Sequence, residues 1–276
     1  MAGVESLRWK DRASIRLSNH LVELIVHSSE GHLAQLSFID GSSTSAPTLL
    51  WEAPWAAVDE FTELSESALA QYGGESLRVF LASYSGHALC IDYFGPRSTD
   101  RLSSGLSLRG EAALQRWNAW ECNELQSVSC CWNAIPPLAQ LVFERQTTLR
   151  EGETVFRVRE TVRSHRKDSD IFDWAQHVTF GPPFLEKEKS VLLVSGDSAL
   201  TSPFGYEGRS LLAENREVTR LITPLELGED EVDLRFPFTN TGRGFIAGVR
   251  LTTNRRFEHL LAINGQMRLV VGFRNV

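Results

Sequence analysis

The chain of 276 residues is 42% apolar and carries 28 basic against 35 acidic side chains, a net charge of −7. Nucleic acid and anionic membrane surfaces demand a basic face, so this balance argues against both as main partners and leaves small neutral or mildly charged ligands open. The apolar content, with 15 Phe and 7 Trp, fills a sizeable core, and large β-sandwiches and barrels of this length often run as one domain. A single domain over residues 1–276 is therefore expected.

The opening residues, Met1 to Ser14, are charged and lack the apolar stretch of about 7–15 residues that a signal peptide needs. No run approaches the ~20 apolar residues of a membrane-spanning helix. A soluble, cytoplasmic protein is expected. The 4 cysteines, Cys90, Cys122, Cys130 and Cys131, contain no Cys-x-x-Cys pair. A chain with a full core needs no disulfide staples, so reduced, mostly buried thiols are expected.

In chain order, His20–Val26 and His32–Phe38 read as strands around a hairpin turn at Ser28-Ser29-Glu30-Gly31. Helical spacing is scarce; Phe61, Leu64, Ala68 and Leu69 place a helix over Val58–Gln71. A strand is expected at Ala88–Tyr93. Gln140–Arg150 alternates, with Leu141, Phe143, Thr147 and Leu149 on one face, and Glu153–Arg163 does the same with Phe156, Val158 and Val162. Glu151-Gly152 joins those two as a tight turn. Further strands follow at Val191–Val194, Val232–Phe236, Gly244–Leu251, His259–Ile263 and Met267–Phe273. Many short strands with regular turn signals mean an all-β sandwich or barrel-like sheet pair.

Phosphate-binding glycine loops, dinucleotide fingerprints and metal-binding His or Cys pairs are missing, so neither a metal nor an organic cofactor is expected. Three segments combine polar residues with glycines that allow close approach. They are Ser85–Pro96, containing His87; Gly105–Ala112, containing Arg109 and Glu111; and Asp173–Phe184, containing Trp174, His177 and Phe180. In the last, a histidine between aromatic residues runs into Gly-Pro-Pro. A sugar site uses those ingredients: flat aromatic faces and directional polar groups.

The order of these segments, with Ser18–Leu24 and Trp51-Glu52-Ala53-Pro54-Trp55 before them, resembles the aldose 1-epimerase (galactose mutarotase-like) superfamily, in its uncharacterised branches. The likeness implies an all-β fold, a large antiparallel β-sandwich (supersandwich) whose concave face holds a monosaccharide or a sugar phosphate. It implies mutarotation by acid–base ring opening, an isomerase activity with no cofactor. His177 resembles the family's acid histidine. Arg109 stands where the family places a second histidine, and arginine grips anions but does not return a proton near neutral pH. His87, Glu111, Trp174 and Phe180 complete the expected substrate-binding set. The family's C-terminal catalytic glutamate has no counterpart in Met267–Val276, so the base comes from elsewhere or is missing, and a native and a shortened C-terminus are both open. The alternative is a non-catalytic carbohydrate-binding or sensing module with a degraded site.

Overall fold

Strands with one apolar face pair with their chain neighbours in most of the sheets, giving antiparallel meanders joined by a few long-range pairings. The computed structural model describes residues 2–39, 47–55, 58, 65–72, 78–91, 110–124, 127–167, 174–201, 212–219, 222–224, 231–236, 247–251 and 258–275. It divides into two compact units, Met1–Gly181 and Pro182–Val276.

In the first unit, β1 (Gly3–Trp9), β2 (Arg12–Ser18), β3 (Val22–His27) and β4 (Leu33–Phe38) run up and down in chain order. β5 (His87–Ile91) and, much later in the chain, β10 (Trp174–Val178) extend them into a six-stranded sheet ordered β1-β2-β3-β4-β5-β10. Between β5 and β10 the chain makes a second, four-stranded meander: β6 (Asn118–Glu124), β7 (Ser127–Ala134), β8 (Leu141–Arg150) and β9 (Phe156–Ser164). Leu17, Leu24, Val26, Leu89 and Ile91 from the first sheet meet Trp132, Leu141 and Phe143 from the second in one buried cluster. Period-two alternation puts those residues on single faces, which is why a hydrophobic contact between two sheets is the stable outcome.

The second unit holds two smaller antiparallel sheets. Its strands are β11 (Ser190–Val194), β12 (Gly196–Thr201), β13 (Glu217–Thr219), β14 (Ile222–Pro224), β15 (Glu231–Asp233), β16 (Ala247–Leu251), β17 (Glu258–Asn264) and β18 (Leu269–Asn275). They are ordered β11-β17-β18 and β15-β14-β13-β12-β16. The expected all-β class is therefore what the chain adopts.

Four observations add to these expectations or change them. Of the helix placed over Val58–Gln71, the described residues form α1 (Glu66–Leu69) and a 3-10 turn at Ala70–Tyr72, and residues 59–64 lie outside the description. A second short helix, α2 (Arg78–Ser83), follows where none was expected; its Phe80 buries against Tyr84 and Ala88. The charged opening segment is itself two strands, because Val4, Leu7 and Trp9 are half-buried between their charged neighbours. The cysteines are not all reduced: Cys122 on β6 and Cys131 on β7 form a disulfide, while Cys90 and Cys130 are buried thiols. Trp120 pairs with Cys131 and Cys122 with Ser129, so the two cysteines are diagonal neighbours on one face of a hairpin. Short sequence spacing hid a pairing that strand register supplies.

Among the described residues no helix is long and apolar enough to cross a membrane.

The β3–β4 turn depends on Gly31. Its φ is +66°, and a Cβ there would lie 2.5 Å from the ring of Trp117. Gly31→Ala is expected to cost about 2 kcal/mol or more, from a strained backbone and an overpacked ring together. A urea midpoint equal to that of the parent would contradict this.

Candidate functional site

The six-stranded sheet has one apolar face and one polar face. Register decides the division: Ser14 lies opposite His27, and Arg16 opposite Ile25. The same face carries Trp9, opposite Arg12, and Gln35, opposite Ile25. Directly opposed residues share a face, so Trp9, Arg12, Ser14, His27 and Gln35 project together, away from the core cluster. Trp9 Nε1 donates to Gln35 Oε1 at 2.9 Å, and Gln35 in turn donates to Glu23 at 2.8 Å.

A cavity of about 340 Å³ opens on this polar face. Trp9 and Trp55 are its aromatic walls. Lys10, Asp11 and Glu52 form its exposed rim, and Lys10 Nζ reaches Glu52 Oε2 at 2.6 Å. Its floor is buried: Arg12 is 4% exposed, Ser85 6% and His27 0%. Arg12 is a fixed cation, because Nη2 bonds Glu30 Oε1 at 2.6 Å and Nη1 donates to the Ser83 carbonyl at 2.7 Å. His27 lies between two hydroxyls. Its Nδ1 is 3.0 Å from Ser14 Oγ and its Nε2 is 3.4 Å from Ser85 Oγ. Burial holds its pKa well below the ordinary value, and the charge of Arg12 adds to the effect, so the ring is neutral.

His177 lies near this cleft without lining it. It pairs with Ala88 across β10 and β5, which puts it on the face opposite His87. Its ring stacks on Tyr84 at 5.3 Å and on Phe80 at 6.0 Å. Tyr84 stacks on Trp51, and Trp51 meets Trp55 edge-on at 5.7 Å. An aromatic run thus leads from His177 to the cavity wall.

Of the other expected site residues, His87, Glu111, Trp174 and Phe180 do not line this cavity. His87 is buried on the core face, where its Nε2 donates to Gln176 Oε1 at 2.6 Å. Gln176 donates to Glu160 Oε2 at 2.5 Å, and Arg145 Nε donates to Glu160 Oε1 at 2.9 Å. Arg145 also donates to the Gly31 carbonyl and lies over the Trp117 ring. Burial first, and Arg145 second, push the His87 pKa down to about 3. Glu111 is buried and accepts the Ala139 N–H at 2.7 Å, anchoring the chain before β8. Trp174 is exposed and meets Phe143 edge-on. Phe180 bridges to Leu50 and packs on the core cluster. Arg109 lies outside the described residues.

The cleft residues His27, Lys10 and Trp9 lie in segments that carry no motif, and Ser85 opens the segment in which only His87 stood out. The available signal was alternation in residues 3–18, which places Lys10-Asp11 at a hairpin turn with Trp9 beside it. Among the described residues no group of three or more His, Cys, Asp or Glu is placed to hold a metal ion.

No family model matches the chain, and no curated protein matches it. Among solved structures, HI1317 is similar over 99% of this chain and 79% of its own, at 10% identity and a TM-score of 0.53. The galactose 1-epimerase from Lactobacillus acidophilus NCFM is 12% identical, covering 96% of this chain and 82% of its own. Its TM-score of 0.48 is too low to carry an argument. At such identities, the likeness to HI1317 shows a shared fold and nothing of chemistry.

Proposed function

We propose that the chain is an aldose 1-epimerase-like protein that holds a monosaccharide in the cleft of the six-stranded sheet and interconverts its anomers by acid–base ring opening. The observation that carries this reading is the cleft itself: two tryptophan walls over a floor made of the Ser85 hydroxyl, the Arg12 guanidinium and a neutral imidazole. Aromatic faces take the C–H side of a pyranose and directional polar groups take its hydroxyls. The likeness of His177 to an acid histidine supports the same reading, as does the aromatic run that joins it to Trp55.

The charges favour a neutral sugar over a phosphorylated one. Among the described residues at the cleft, Lys10 is paired with Glu52 and Arg12 with Glu30, and Asp11 adds a further carboxylate. A phosphate dianion would have to displace one of these carboxylates from its cation. Galactose or glucose is expected to bind about tenfold more tightly than glucose 6-phosphate, a difference of about 1.4 kcal/mol. Saturation-transfer NMR at low ionic strength measures this. Trp9→Ala should remove the binding, and equal or tighter binding of the phosphate would contradict the charge argument.

The second reading is carbohydrate binding without turnover, and one observation favours it: His177 does not line the cavity. Anomer exchange by NMR separates the two. Exchange faster than buffer, lost in His177→Ala, supports an isomerase; binding with exchange at the buffer rate supports a binding module.

A further inference from the structure

We propose that Ser14, His27 and Ser85 form a relay of fixed polarity through which the cleft takes a proton from a ligand hydroxyl. The relay supplies the base that the epimerase-like reading leaves unassigned, and it rests on that reading.

The polarity follows from counting hydrogens. Ser14 Oγ lies 3.1 Å from the Arg12 carbonyl oxygen as well as 3.0 Å from His27 Nδ1. A carbonyl only accepts, and the serine has one hydrogen to give. Both contacts are bonds only if the Ser14 hydroxyl donates to the carbonyl and accepts from Nδ1–H. A neutral imidazole protonated at Nδ1 carries its lone pair on Nε2. That nitrogen faces Ser85 Oγ at 3.4 Å, a distance of the kind that tightens when a ligand closes a site. His27 and Ser85 both line the cavity, but His27 has no exposed surface whereas Ser85 keeps a little. A ligand therefore meets His27 through Ser85.

The step balances without an added reagent. The ligand hydroxyl gives its proton to Ser85 Oγ as the Ser85 proton passes to His27 Nε2, which makes the imidazolium. For an anomeric hydroxyl, the carbonyl forms at C1 while the C1–ring oxygen bond breaks, and the ring oxygen takes a proton from a solvent water, which is left as hydroxide until reclosure returns that proton. Reclosure on either face reverses the transfers, and the imidazolium gives its proton back. Three nearby groups act on the ring: Arg12 and Lys10 as cations, and His32 beside them. All three favour the neutral state from which the relay starts, and they raise by the same amount the cost of the imidazolium that it forms. Ser14 is a positioning residue, since it touches His27 and not the ligand.

The test uses the full chain with labelled histidines. Long-range nitrogen–proton NMR is expected to find His27 protonated at Nδ1 and bare at Nε2 near neutral pH. Ser14→Ala should shift the ring towards the other tautomer while leaving galactose binding in place. Ser85→Ala is expected to slow anomer exchange by about 10²-fold, the usual scale of a positioned proton-transfer group. His27→Gln, which keeps the side chain's size, should bring exchange to the buffer rate. A wild-type ring protonated at Nε2, or Ser85→Ala exchanging at the parental rate, overturns the relay. So does a wild-type chain that binds galactose and exchanges it no faster than buffer, an outcome that leaves the binding reading standing. No binding of any of the sugars overturns that reading, and the relay with it.

Discussion

Lowering the pH from 7 towards 5 is expected to destabilise the Met1–Gly181 unit steeply, because His27, His32 and His87 are buried and neutral in it. Each has its pKa depressed, first by burial and then by a nearby arginine: Arg12 for His27 and His32, Arg145 for His87. An unfolded histidine titrates near about 6.5. Below that pH the unfolded chain binds protons that the folded chain refuses, so stability falls as pH falls. For His87 the loss continues down to its folded value of about 3. Above about pH 6.5 neither state is protonated and the contribution is complete. Each such group costs up to about 1.4 kcal/mol per pH unit, and the three together about 4. Against a domain stability of about 5–15 kcal/mol, two or three units suffice to unfold the unit. Urea midpoints measured at intervals between pH 8 and pH 5 check this. A flat profile would contradict it, whereas His87→Asn should remove about a third of the slope.

Arg12→Ala is expected to cost about 3–5 kcal/mol, since it strips the buried Glu30 carboxylate of this cation. Arg12 is 4% exposed and Glu30 0%, and they bond at 2.6 Å. Exposed pairs such as Lys10–Glu52 should contribute about 1 kcal/mol or less, because solvent screens them and two long side chains lose freedom. Replacing Arg12 and Glu30 together by apolar residues should recover most of the loss, as a well-packed apolar pair avoids the desolvation that both ions suffer. A double-mutant cycle in urea reads the coupling directly. Additive single effects would mean that the pair does not act as a unit. The same substitution removes the charge that most lowers the His27 pKa after burial, so Arg12→Ala should also raise the pKa of that ring.

The aromatic run joins the candidate site to the core around α2. Tyr84 donates to the Gly86 carbonyl at 2.9 Å and pairs with Thr179 Oγ1 at 2.5 Å, tying the segment before β5 to the end of β10. His177 is therefore held by ring stacking on a sheet edge. His87, one register position away, is held by a hydrogen-bonded chain between two sheets. Two histidines that look alike in sequence have different surroundings because adjacent register positions point to opposite faces.

Patterning by itself determined much of the architecture. The alternation of Gln140–Arg150 and Glu153–Arg163, the turn at Glu151-Gly152 and the hairpin at Ser28–Gly31 all appear as β8, β9 and the β3–β4 connection. Such features are legible because a period of two and a turn residue act within a few positions of one another. The all-β class follows from them. Only the tertiary structure decided which polar residues meet. Arg12 reaches Glu30 and Ser83, Ser85 reaches His27, Lys10 reaches Glu52, and Cys122 reaches Cys131 through strand pairing and loop packing. Most of these partners are tens of residues apart. No local propensity encodes such a meeting; it exists because two apolar faces had to be buried, and the polar faces behind them came together as a consequence.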